Sequence, residues 1–406
     1  MIYITKKEIF APVYEFVERK GSGHPDTLSD ALAEQLSVDY SNYTLKKFGA
    51  VLHHNFDKVG LLGGASSVRF GEGKLINPIR VLINGRASTK FGDIIIPVKE
   101  LLLSTAKEFL HSKFPMIDPE TDLEFHYNLS NQSSPGKTEE AGSEKGTRKF
   151  WFEPRSLDDI QELKHLVSND TSLGVGYAPY SKLEKLALDI EEKLNSSEFK
   201  SKNPWMGSDI KVMAFRYEDK YDITLCIPQI STFVKNIDEY KENIDFSRLL
   251  IEDIIKNAGI ESFDIHINTR DNYENTELYL TATGSSIESG DEGLVGRGNR
   301  INGLITPMRL MSMEGACGKN PVYHIGKVYY VAASEISRKI YEKFNIPNEV
   351  SLISQSGRDL LDPWVTCITL PDDFTNEKEV ESFVEEELKN IPNITKLLLE
   401  QKVRLY

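Results

Sequence analysis

The chain has 406 residues, 40% of them hydrophobic and 27% charged, with a net charge of −14. That length exceeds one small core and calls for two to four domains. So acidic a chain excludes nucleic acid and anionic membrane as general partners, and a phosphate-bearing ligand would need a local cluster of Lys, Arg or metal.

The opening, MIYITKKEIF, has no apolar core of signal-peptide length, and no run approaches a membrane span. Cys226, Cys317 and Cys367 are odd in number and far apart, as expected of reduced thiols, and the cytoplasm is the expected compartment.

In chain order, Asp26 to Leu36 predicts the opening of a helix, with Asp26 as N-cap and Leu28, Leu32 and Leu36 on one face. Val51 to Gly64 reads as strand running into a glycine pair, and Ile79 to Ile83 as a strand turning at Asn84-Gly85. Val98 to Phe114 is an amphipathic helix. Residues 129–150 are polar and glycine-rich, the pattern of a surface loop. Helices are predicted at Ser181–Leu194, Phe233–Asn257 and His324–Phe344, and two charged helices close the chain. Strands are predicted at Asp209–Tyr217, Asp222–Ile227, Phe263–Asn268, Glu277–Thr283, Ser351–Ser354 and Val365–Leu370. Paired strands with amphipathic helices recur three times, which points to α+β domains on mixed or antiparallel sheets.

Several segments could carry chemistry. Gly21-Ser22-Gly23-His24-Pro25-Asp26 puts a histidine and a carboxylate at a helix start between glycines. Asp26 there is either a plain cap or a Mg²⁺ ligand beside a phosphate. Asp170, before a glycine-containing turn, either makes an Asx-turn or receives an ammonium group. Asp209 and Lys211 alternate along a strand, as an exposed ion pair would or as two ligand contacts would. Gly290 to Arg300 is the densest segment. Its glycines can form an anion nest, Arg297 and Arg300 can grip phosphate oxygens, and Asp291 can meet a ribose, an amine or a metal. Lys319 sits on a turn before a helix, without the Ser or Thr of a Walker A loop. These residue types call for a phosphate-rich ligand, a carboxylate-held metal and several cations, and do not name a reaction.

Read together, GSGHPDTLSDALAE, HHNFDKVGLLGG, NDTSLGVGYAP, DIKVMAFR and the 290–321 stretch resemble the archaeal-type S-adenosylmethionine synthetases, in order from about residue 15 to 363. The resemblance implies three similar α/β domains with pseudo-threefold symmetry, drawn here at 1–130, 131–262 and 263–406, with the chain crossing between them. It implies a homodimer with active sites at the interface, ATP and L-methionine as substrates, and Mg²⁺. The need for K⁺ is left open.

The implied reaction is attack of the methionine sulfur on C5′ of ATP, then hydrolysis of the tripolyphosphate. The implied roles are His24 near O5′, Asp26 on Mg²⁺, and Asp170 at the methionine ammonium. Asp209 and Lys211 meet the nucleotide, Asp291 lies between adenosine and methionine, and Arg297, Lys319 and Arg300 hold phosphates. Asp158, in Arg155-Ser156-Leu157-Asp158-Asp159-Ile160, matches a drifted nucleotide segment in which Arg155 replaces Gly. Tyr323, Ala65 and Arg358 depart from the family pattern and bear on the methionine pocket. A different ATP enzyme would show its own motifs, and none is present. A silent homologue would have no need to retain His24, Asp26, Asp291, Arg297 and Lys319.

Overall fold

The computed structural model describes residues 1–8, 12–132 and 150–406, so most of the predicted 129–150 loop lies outside the described residues. Helices in chain order are α1 (Pro25–Phe48), α2 (Val98–Lys113), α3 (Lys182–Asn195), α4 (Ser197–Lys202), α5 (Ile237–Asn257), α6 (Ile325–Phe344), α7 (Glu377–Leu388) and α8 (Pro392–Leu399). Three main sheets carry the fold, and each is built in the same order. An edge strand pairs parallel with its neighbour, and two antiparallel pairings follow. In one sheet the order is Ile2–Lys7, Val365–Pro371, Asn348–Ile353, Leu173–Ala178. In the second it is Leu123–Ser130, Ile79–Ala87, Gly60–Leu62, Gly293–Leu294, with His54–Asn55 also on Ile79–Ala87. In the third it is Ser262–Ile267, Lys220–Cys226, Lys211–Tyr217, Tyr14–Lys20. Each sheet therefore gathers strands that are distant in sequence.

Alternation explains the third sheet. Val212 and Ala214 point inward with Val17, Ile223 and Leu225, and pack with Ile190, Tyr240 and Ile251 of α3 and α5 into one core. A second core joins the other two sheets through Leu32, Val81, Leu102, Tyr329, Ile368 and Val384. The capping box of α3, in which Ser181 accepts from Glu184 N while Ser181 N donates to the Glu184 carboxylate, fixes that helix start as Ser-x-x-Glu chemistry requires.

Three expectations need correction. The N-cap of α1 is His24, not Asp26: the His24 ring accepts from Asp26 N, and Pro25 takes the first helical position, where its missing N–H costs nothing. Leu28, Leu32 and Leu36 of α1 are buried together, as expected. Ser29, Asp30, Glu34 and Ser37 are buried along with its leucines, because sheet and loop surround it. Asn84-Gly85 is not a turn. The strand runs on to Ala87, and Gly85 admits the Asn55 backbone where a Cβ would collide. Of Glu277–Thr283, only Leu280–Thr281 is strand.

Candidate active site

The turn at residues 21–24 is stitched to the segment leading into Lys211–Tyr217. Gly21 N donates to Ile210 O at 2.7 Å, Gly23 N to Ser208 O at 2.9 Å, and Ser285 Oγ to Gly23 O at 2.6 Å. This brings His24 beside Asp209, 185 positions away in the chain. Both line a cavity of about 680 Å³ with Lys211, Tyr279, Ser286 and Asp291, a volume suited to a nucleotide-sized ligand.

Asp209 is buried, and its Oδ2 accepts from Ser286 N (2.9 Å), Ser286 Oγ (2.6 Å) and Tyr279 OH (3.0 Å). Burial pushes its carboxyl above the usual range, and His24 and the three donors oppose that shift. Burial lowers the His24 imidazole, with Asp209 opposing, so the ring favours its neutral form. Because Nδ1 accepts from Asp26 N at 3.2 Å, the network assigns the remaining proton to Nε2, as a donor. Ser286 Oγ also lies 3.0 Å from Asp291 Oδ2, and with one hydrogen it serves one carboxylate at a time.

A phosphate-type surface adjoins this cavity. Asp26 accepts from Lys20 Nζ at 2.8 Å and from Leu294 N at 3.1 Å, and Lys20 reaches the Arg297 carbonyl at 3.0 Å. Gly293 lies so close to Pro25 that a Cβ would enter the Pro25 carbonyl, which is why this loop needs glycine there. The Arg297 side chain is exposed, and among the described residues no hydrogen bond or ion pair engages its guanidinium. Arg300 is different: its buried guanidinium donates to the carbonyls of Gly296 (2.6 Å), Gly298 (2.8 Å) and Ser312 (3.3 Å), and so braces the loop from behind. Gly315 packs against Gly296, and Lys319 then pairs with Glu314 and, at 3.5 Å, with Asp57. Lys211 pairs with Glu18 at 3.0 Å.

Asp158 and Asp170 do not line this cavity. Asp158 is exposed on a 3₁₀ turn near Lys164, and Asp170 closes a local turn to Thr171 N at 2.7 Å. The glycines after Asp170 serve packing: the α6 backbone at Tyr329 and Ala333 occupies the space that a Cβ on Gly174 or Gly176 would need. Arg155 forms a paired contact with Asp159 (2.9 and 2.8 Å), and Arg358 pairs with Asp362. Tyr323 is buried and bonds His53 Nδ1 at 2.7 Å. Tyr279, Ser286, Lys20 and Glu314 belong to the site without having been legible in the sequence, since no spacing ties them to Asp209, Asp26 or Lys319.

The S-adenosylmethionine synthetase family model matches residues 3–140 and 152–402. A probable S-adenosylmethionine synthase of Aquifex aeolicus is 39% identical, covering 97% of this chain and 96% of its own. The S-adenosylmethionine synthases of Hyperthermus butylicus and Pyrobaculum aerophilum are 39% and 38% identical, covering 97% and 99% of this chain and 95% and 98% of theirs. Among solved structures, an unusual S-adenosylmethionine synthetase from Campylobacter jejuni shares the fold, with a TM-score of 0.61 at 13% identity over 97% of this chain and 94% of that one. The chain belongs to the S-adenosylmethionine synthetase family, whose enzyme class is methionine adenosyltransferase. Among the described residues no helix is long and apolar enough to cross a membrane.

Proposed function

We propose that this chain forms S-adenosylmethionine by attack of the L-methionine sulfur on C5′ of ATP, and then cleaves the released tripolyphosphate to pyrophosphate and phosphate. The observation that carries this reading is the joining of two surfaces. A cavity lined by His24, Asp209, Lys211 and Asp291 adjoins a loop that presents Arg297. A thioether attacks without losing a proton, so the first step needs no general base. The barrier lies in charge gathering on O5′ and the phosphates, which preorganised donors and cations stabilise. A neutral His24 with its proton on Nε2 donates to the departing oxygen. Arg297, Lys211 and Lys319 receive the phosphates, and Asp291 faces the sugar and the amino acid. Holding sulfur and C5′ in line supplies much of the remaining acceleration.

Mg²⁺ fits this site in one respect. Asp26 offers a single carboxylate, and Mg²⁺ bound to polyphosphate commonly needs only one or two, with phosphate oxygens completing its shell. Among the described residues no cluster of three acidic, histidine or cysteine side chains would hold a metal by itself. Asp26 would hold the ion with Lys20 still bonded to its Oδ2, and the bound ion would neutralise phosphate charge.

Two observations support a homodimer with the site between subunits. Asp158 and Asp170 stand away from the cavity of their own chain. The sheet carrying Lys211 exposes Tyr14, Met213, Phe215 and Tyr217 on the face away from its helices. The repeated strand order supports an approximate threefold relation among three domains, with boundaries near 130 and 262.

The test is a product inventory with ATP, methionine and Mg²⁺. Each turnover should yield one S-adenosylmethionine, one pyrophosphate and one phosphate. Arg297→Ala should impair cleavage of added tripolyphosphate by about 3 kcal/mol in barrier. Stoichiometric ADP or AMP without a sulfonium product would overturn the reading. Mixed dimers of separately dead variants, His24→Ala with Asp170→Ala, should regain activity, and a fully active monomer in ultracentrifugation would refute the shared site.

A further inference from the structure

Ser286 opens a 3₁₀ turn, Ser286–Ser289, at the cavity wall, and the chain around it is locked. The Glu288 carboxylate is buried and accepts from Ala282 N (2.6 Å), Thr283 N (2.5 Å) and Thr283 Oγ (2.6 Å), which closes the turn back on the residues before it. Ser285 Oγ fastens the turn to Gly23 O at 2.6 Å, and Ser286 N is engaged by Asp209 Oδ2 at 2.9 Å. The backbone of Ser286 is therefore fixed, and what stays free is rotation of its hydroxyl. That hydroxyl oxygen lies 2.6 Å from Asp209 Oδ2 and 3.0 Å from Asp291 Oδ2. The shorter contact takes the hydrogen, because Asp209 is buried while the exposed Asp291 can be served by water. Ser286 Oγ then turns a lone pair toward Asp291, and two acceptors stand 3.0 Å apart in the cavity with no hydrogen between them. Such a pair is unfavourable by itself and suits a donor that carries positive charge.

An ammonium placed there would donate to Asp291 and to Ser286 Oγ together. Hydrogen bonds in a chain polarise one another, so the serine O–H would be pressed more firmly onto Asp209. Asp209 Oδ2 would then keep all three of its donors, Tyr279 OH, Ser286 N and Ser286 Oγ, which oppose the effect of burial and hold the carboxylate in its charged form. All three bonds fall on Oδ2. Oδ1 has no hydrogen bond among the described residues and is left for a hydroxyl of the nucleotide, which a charged acceptor holds more strongly than a neutral one. We propose that Ser286 is a positioning residue that links the two ends of the cavity, its single hydrogen transmitting ammonium binding at Asp291 to nucleotide binding at Asp209. The linkage is reciprocal, so nucleotide at Asp209 strengthens the ammonium contact by the same factor. This proposal rests on the function inferred above, in which Asp209 meets ATP and Asp291 meets methionine. It adds the residue through which each substrate feels the other.

The experiment is calorimetric titration of the full-length chain with ATP and Mg²⁺, with and without saturating L-norleucine, whose methylene in place of sulfur cannot attack C5′. L-norleucine should tighten ATP about tenfold in the wild-type chain, and ATP should tighten L-norleucine equally. Ser286→Ala should bring both ratios to about one, and Ser286→Thr, which keeps a hydroxyl, should restore the coupling. Asp291→Asn, which leaves the Ser286–Asp209 contact in place, should also remove it. A serine needed only for shape would change the separate affinities and leave their ratio as it was. Coupling retained in Ser286→Ala, or absent from the wild-type chain, overturns the proposal. Coupling lost in Ser286→Thr as well assigns the effect to packing and overturns it too. Coupled binding without S-adenosylmethionine formation from ATP and methionine would instead sink the synthetase reading and leave the relay standing.

Discussion

Lys20 Nζ stands 2.8 Å from Asp26 Oδ2 and 3.0 Å from the Arg297 carbonyl oxygen, so one ammonium ties the start of α1 to the glycine-rich loop. The Lys20–Asp26 pair is mostly buried on both sides, which shields it from the screening that weakens surface pairs. Lys20 therefore sets the distance between the carboxylate assigned to Mg²⁺ and the arginine assigned to phosphate. Lys20→Met should lower kcat about 10- to 100-fold, the usual effect of removing a group that orients a metal ligand, while circular dichroism stays unchanged. Wild-type kcat at limiting Mg²⁺ would remove Lys20 from the site.

Asp26→Asn keeps the acceptor for Leu294 N but loses the charge. Turnover should disappear with the fold retained. Near-normal activity of this variant at limiting Mg²⁺ would rule out the metal assignment.

Asp30 lies beneath the same loop, accepting from Gly296 N at 2.8 Å through Oδ1 while Oδ2 has no partner. Burial raises its carboxyl from 3.8 to about 7, only partly offset by the loop N–H groups and Arg300. The folded state therefore holds a proton that the unfolded chain has already lost between about pH 4 and 7. Stability contributed by this group is full below pH 4, falls as pH rises to about 7, and is then flat. The total is on the order of 4 kcal/mol. Asp30→Asn should flatten this part of the profile in urea titrations between pH 5 and 8. An unchanged slope would mean that Asp30 is ionised in the fold.

Lys327 is fully buried, and both Glu34 oxygens accept from it, at 2.8 and 2.6 Å; Glu34 Oε2 also takes Gly318 N at 3.0 Å. Lys327→Met should cost about 3–5 kcal/mol, because it strands a buried carboxylate. Adding Glu34→Gln should recover part of that loss, which a double-mutant cycle in denaturant will show. Strictly additive losses would mean that the two residues act separately.

Gly23→Ala should be disproportionately harmful. The new Cβ would stand 2.7 Å from Asp209 N and 2.6 Å from the Ser208 carbonyl carbon, both backbone atoms that cannot swing aside. The expected cost is about 1–3 kcal/mol in stability, with a larger loss in activity as His24 parts from Asp209. A variant with wild-type kcat would show that the turn can shift without moving His24.

Local chemistry was readable in the order of residues. The helices at 98–113, 182–195, 237–257 and 325–344 follow from periodic apolar residues and from caps such as Ser181, because those interactions close within a few positions. The grouping of glycine, arginine and carboxylate near 290–300 was equally visible, since its meaning lies in composition. Tertiary structure alone decided which neighbours meet. It bent Asp209 under Tyr279 and Ser286, turned Arg300 inward to brace the loop while leaving Arg297 exposed, and used Gly174 and Gly176 to seat α6. It also surrounded α1, so that Asp30 and Glu34 became buried acids alongside its leucines. Sequence spacing reports only contacts a turn or a strand pair away, whereas these depend on how three sheets gather strands from opposite ends of the chain.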